Sequence, residues 1–114
     1  MVYEGDFQND LMHGKGVLTN IVEGSEFSGD FTMGKRDGYG IYKYANKDLY
    51  VGEWLNNQMH GKGKYTWAVD GRTTVGKWQF GKKHGEHLFQ APDRNEKHFW
   101  DEGRLLKKGI ILSF

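Results

Sequence analysis

Apolar and polar positions alternate along most of the chain with a period of two. In "YVGEW" (50–54), Tyr50, Gly52 and Trp54 fall on one side of an extended backbone, and Val51 and Glu53 on the other. In "GKGKYTW" (61–67), Gly61, Gly63, Tyr65 and Trp67 share one face. No segment shows the 3.6-residue period of an amphipathic helix, and the only Leu-rich piece is "GRLLKKGIILSF" (103–114). The pattern predicts short strands joined by tight loops.

The alternation is itself repeated. "YEGDF" at 3–7 returns as "FSGDF" at 27–31, "YVGEW" at 50–54 and "TVGKW" at 74–78, with a decayed copy, "EKHFW", at 96–100. The anchors Phe7, Phe31, Trp54, Trp78 and Trp100 are spaced by 24, 23, 24 and 22 residues. A second motif follows each anchor: "GKG" at 14–16, "GYG" at 38–40 and "GKG" at 61–63, weakening to "GEH" at 85–87 and "KKG" at 107–109. A fixed period of this length is the mark of a repeat architecture. Two strands per period make a β-hairpin, and consecutive hairpins make an extended antiparallel meander. Glycine weakens a strand unless something must approach its backbone; here rings from neighbouring strands can lie over the glycine Cα atoms.

A period near 23 with Y-x-G-x-W and H-G-x-G resembles the MORN repeat family, and "YVGEWLNNQMHGKGKYTW" follows that pattern almost position by position. The resemblance spans roughly residues 3–109, with departures at Asp37 in place of His, Thr74 in place of the first aromatic, and the loss of Gly and His-Gly from the last copy. The expected fold is all-β: an elongated, single-layer twisted antiparallel sheet, one hairpin per repeat. One array covers 1–114, with repeats at about 3–26, 27–49, 50–73 and 74–95 and a degenerate repeat or cap at 96–114. Because the chain opens inside a repeat, it is expected to be part of a longer protein.

Composition narrows the function. Seventeen glycines in 114 residues are about twice the usual share of roughly 7%, and the aromatic content is 15% with one proline, unlike a disordered chain. Cysteine is absent, which excludes a disulfide framework and Cys-based zinc sites. No apolar run approaches the ~18 residues of a membrane-spanning helix, and no signal peptide opens the chain, so a cytoplasmic location is expected. The net charge of +1 hides an asymmetry: residues 1–57 carry five basic and nine acidic side chains, and residues 58–114 carry eleven and six.

Candidate chemistry is sparse. "HGKGKYT" lacks the G-x-x-x-x-G-K-[ST] spacing of a phosphate loop and sits in a hairpin. His13, His60 and His84 share a register position but lie a repeat apart, too far to share a metal. "HGEH" (84–87) with His98 is the one local cluster, and these histidines are expected to order hairpin loops. Asp6, Asp30 and Glu53 recur as equivalent positions on an open sheet, whereas a catalytic carboxylate pair needs unlike environments. Ser25, Ser28 and Ser113 have no His/Asp setting. No enzyme and no cofactor are expected.

The register places thirteen aromatic residues on one face. Twelve are candidates for a partner-binding groove: Tyr3, Phe7, Phe27, Phe31, Tyr42, Tyr44, Tyr50, Trp54, Tyr65, Trp67, Trp78 and Trp100; Phe89 shares the face. The other face carries Glu4, Asp6, Lys15, Asp30, Lys43, Glu53, Lys62, Lys64 and Lys77, a mostly solvated set. Contiguous apolar faces are seldom left bare, so the expected function is non-catalytic scaffolding, with a helical or extended peptide of another protein in the groove. Two open edges and the charge asymmetry also suggest a homodimer. The competing expectation is an anionic membrane lipid held by Lys82, Lys83, Arg104, Lys107 and Lys108, beside the apolar "GIILSF". Nucleic acid is not expected, since no basic stripe flanks the aromatic face. The resemblance implies cytoskeletal, ciliary or membrane-junction assembly.

Overall fold

The structure, a computed structural model, describes residues 1–111; Ser113 and the end of the expected cap lie outside them. Ten strands follow one another in chain order as a single open antiparallel sheet: β1 (Val2–Gln8), β2 (Leu11–Asn20), β3 (Ser25–Thr32), β4 (Lys35–Lys43), β5 (Leu49–Leu55), β6 (Gln58–Thr66), β7 (Thr73–Gln79), β8 (Lys82–Ala91), β9 (Arg94–Asp101) and β10 (Arg104–Ile111). The described residues contain no helix. The molecule measures 54 × 25 × 24 Å, and ten strands at ~4.8 Å spacing account for the long axis. β9 and β10 form a fifth hairpin although their repeat motif has decayed.

Each repeat hairpin closes through a two-residue turn with both φ angles positive: Asn9/Asp10, Met33/Gly34, Asn56/Asn57, Phe80/Gly81 and Glu102/Gly103. This is the type I′ geometry whose twist matches the flanking strands. Met33 and Phe80 adopt it without glycine's freedom, and each is held from the preceding repeat. The Met33 N–H donates to His13 Nδ1 (3.5 Å), and the Phe80 N–H donates to His60 Nδ1 (3.2 Å). His13 and His60 therefore order hairpin turns, as expected, but the turns belong to the next repeat; His84, His87 and His98 do not hold turns in this way. At the opposite end of the hairpins the buried Asp48 ties two loops together, accepting from the Tyr65 hydroxyl (2.5 Å) and the Ala68 N–H (2.8 Å). Those donors, the amide first, hold its carboxyl below the usual range.

The "HGKG" stretch is a β-bulge. Gly5 faces Gly16 and Phe7 faces Met12, so Asp6 alone spans His13, Gly14 and Lys15. The shift recurs with Asp30 opposite Asp37–Tyr39 and Glu53 opposite His60–Lys62. The carboxylate enters the gap: Asp6 accepts from the Lys15 N–H (3.3 Å), Asp30 from Tyr39 (3.0 Å) and Glu53 from Lys62 (2.6 Å). The recurring acids are bulge caps, which explains their register without catalysis and removes them from the purely solvated set.

The core lies within one face. Tyr3, Phe27 and Tyr50 cover Gly16, Gly40 and Gly63 so closely that a Cβ at Gly63 would sit 2.3 Å from the Tyr50 hydroxyl. Each of these rings also meets the anchor of its own repeat and of the next, edge to face. The chain runs Phe7–Tyr3–Phe31–Phe27–Trp54–Tyr50–Trp78 with centroids 5.0–5.3 Å apart. Replacing Gly63 with alanine should therefore cost about 1–3 kcal/mol through overpacking, whereas Gly109→Ala, where nothing lies within 4 Å, should be nearly neutral. Thermal melts of the two variants check this; equal midpoints would be the contrary result.

Candidate partner-binding groove

Of the twelve rings expected to meet a partner, five do not face outward. Phe27, Phe31, Tyr50, Trp54 and Trp78 are at most 6% exposed, because neighbouring rings and the glycine surface cover them. They are the floor of the face rather than its contact surface. Tyr3, Tyr42, Tyr44, Tyr65, Trp67 and Trp100 are half-buried, and Phe7, on the outermost strand, is exposed. Phe89 is buried and stacked on His98, with centroids 4.8 Å apart.

The half-buried rings other than Tyr3 border three adjoining hollows. The first, about 280 Å³, lies between Leu18, Phe27, Arg36 and Tyr42. The second, about 250 Å³, shares Arg36 and Tyr42 and extends past Tyr44 to Met59. The third, about 470 Å³, shares Met59 and is walled by Tyr65, Trp67, Lys83 and Trp100. Together they form a groove along the long axis of the sheet. Tyr42, Tyr44, Tyr65 and Trp67 line its middle as successive tilted rings, 4.6, 5.6 and 5.0 Å apart.

Sequence reasoning missed one wall of the groove. Arg36, Met59 and Lys83 form it and share with Met12, which packs on the core, a single register position, the residue before His13, Asp37, His60 and His84. That common position was the available signal. The Arg36 guanidinium lies 4.7 Å from the Trp54 ring centroid and 5.3 Å from that of Tyr42, with Nη2 donating to the Asn57 carbonyl (3.0 Å). Lys83 Nζ lies 4.1 Å from the Trp100 centroid and 5.4 Å from that of Trp67. Burial lowers the Lys83 pKa from the ordinary lysine value.

The basic residues expected to meet lipid do not share one surface. Lys83 is in the groove and Lys108 pairs with His98 on the same face, while Lys107 sits 4.9 Å over Phe99 on the other. Lys82 and Arg104 flank the hairpin turns and are exposed.

"HGEH" also resolves into packing. His87 occupies the slot of Gly16, Gly40 and Gly63, and Thr74 that of the missing aromatic. The His87 ring covers Gly76 and meets Trp78 edge to face at 4.7 Å, so it supplies the ring that Thr74 lacks. Its Nε2–H donates to the Lys77 carbonyl (2.8 Å), as the Tyr3 and Tyr50 hydroxyls donate to the carbonyls of Asp6 and Glu53. Nδ1 then accepts from the Thr74 hydroxyl (2.8 Å). Burial lowers the His87 pKa below its ordinary 6.5. His98 pairs instead with the buried Glu96 (3.1 Å). No group of three His or acidic side chains is placed to hold a metal among the described residues.

The protein-family comparison agrees with this repeat geometry. The model described as "MORN repeat" matches residues 3–20, 27–49, 50–72 and 75–86. No curated protein matches the chain.

Thr74 and His87 form a coupled pair. Thr74→Tyr alone would clash with the His87 ring and His87→Gly alone would leave a cavity, each costing about 2 kcal/mol. The double variant recreates the ring over glycine of the other repeats and should recover most of that loss, as a double-mutant cycle would measure. Because the His87 pKa is lower in the folded state, the unfolded chain takes up its proton first as pH falls. Stability is therefore full above pH 6.5 and declines as the pH drops toward the folded pKa. The double variant should lack that part of the decline when melting is followed between neutral and mildly acidic pH.

Proposed function

The chain belongs to the MORN repeat family, and on that premise we propose that it is a scaffold module whose groove binds a helical or extended segment of a partner protein. MORN repeats form generally non-catalytic modules that often serve binding and scaffolding. The observation that carries the reading is the row of half-buried rings, Tyr42, Tyr44, Tyr65 and Trp67, above a floor of buried ones. A ring that the core already covers can contribute little to a partner. A ring half out of the core gains burial when one arrives, and Tyr and Trp are the side chains most often responsible for such affinity. The division of the basic residues between both faces supports an anionic-lipid surface less well. Assembly on the cytoskeleton, at a cilium or at a membrane junction remains an inference from the family alone.

The test is affinity capture from a lysate of the source organism. A partner of the groove should stay bound at about 0.5 M salt, where exposed charge contacts are screened. It should be lost from the variant Tyr44→Ala/Trp67→Ala, provided that variant melts like wild type. Capture that responds to salt and to charge reversal at Lys107 and Lys108, but not to ring truncation, would sink the reading.

A further inference from the structure

Lys83 and Arg36 hold positive charge inside an aromatic groove without an acidic partner. Neither makes an ion pair among the described residues, and the Lys83 ammonium donates no hydrogen bond there either. Lys83 is half-buried, between the rings of Trp67 and Trp100. A partly desolvated ammonium held between two aromatic walls with no acidic partner is a setting that a carboxylate would complete. Arg36 repeats the charge two repeats earlier, at the same register position and in the same groove. Methionine fills that position at Met12 and Met59, so the fold itself does not require a cation there.

We propose that the groove selects an acidic amphipathic helix, with one carboxylate seated at Lys83 between Trp67 and Trp100 and a second at Arg36. This rests on the groove reading and adds to it the chemistry of the partner. The cations lie on β4 and β8, four inter-strand spacings apart, or about 19 Å. On a helix the same-face spacings nearest to that separation are 11 and 14 residues, about 16.5 and 21 Å. A helix fits better than an extended strand for a backbone reason. The face of a sheet offers no free N–H or C=O groups, so a strand crossing it would press unpaired amides against rings, whereas a helix satisfies its own. Apolar side chains beside the carboxylates would pack on Tyr44, Met59 and Tyr65.

The experiment selects displayed random peptides of about 20 residues, long enough to reach both cations as a helix, against the full chain. The winning peptides should carry Asp or Glu at two positions about 11 or 14 residues apart, on the same face as a helical apolar pattern. Affinity should fall about tenfold when either acid becomes its amide, a charge-assisted bond being lost. Lys83→Met and Arg36→Met should weaken wild-type winners similarly, and amide peptides should not distinguish these variants from wild type. Lys43→Met/Lys64→Met, on the opposite face, should change nothing. Neutral apolar winners would overturn the charge assignment and leave the groove standing. So would acidic winners that respond equally to the opposite-face variant. No winners at all would count against the groove reading and this inference together.

Discussion

The close approach of an aromatic ring to a bare glycine backbone sets the terms for the rest of this molecule. A sheet with no second layer must build its core within the thickness of its own side chains. Tyr3, Phe27 and Tyr50 do so by lying over Gly16, Gly40 and Gly63, which lets each ring reach the anchors of two repeats at once. Edge-to-face packing at 5.0–5.3 Å then runs unbroken from Phe7 to Trp78. Because each ring depends on its neighbour in the next repeat, stability is a sum of nearest-neighbour contacts, as in other solenoids. Phe7 is exposed because it lies on the outermost strand.

Much of this was legible in the sequence, since local alternation and a 23-residue period are both one-dimensional signals. They gave the strands, the hairpins and the side on which the rings fall. What they could not give is the depth of each ring. Alternation puts Trp54 and Trp67 on the same face, yet one is buried by the neighbours of two repeats and the other lies at the end of a strand beside an open hollow. The bulge was hidden for another reason. Strict alternation assumes one residue opposite one, and two additional residues around Gly14, Gly38 and Gly61 break that count without changing composition.

The Thr74–His87 exchange shows where pattern reading fails most clearly. Each residue, taken alone, is a loss: an aromatic position without a ring and a glycine position with a bulky side chain. The gain exists only across strands, where the His87 ring covers Gly76 from the opposite direction and its N–H takes over the bond to the carbonyl of Lys77. One histidine of the local cluster at 84–87 and 98 is thereby committed to the core.

The ring chain and the variable wall of the groove occupy different register positions, and this is what lets a rigid repeat carry a variable surface. The ring, glycine and acid positions are fixed by steric contact and by the bulge, so substitution there is felt by two repeats. The position of Met12, Arg36, Met59 and Lys83 touches the ring chain from outside and accepts sulfur or charge with the same backbone. Charges there have left open water for aromatic walls without gaining an acidic partner among the described residues. Desolvation opposes a bare charge and favours a matched one. On the proposed reading of the groove, cations placed where the fold does not need them favour anionic guests over neutral ones.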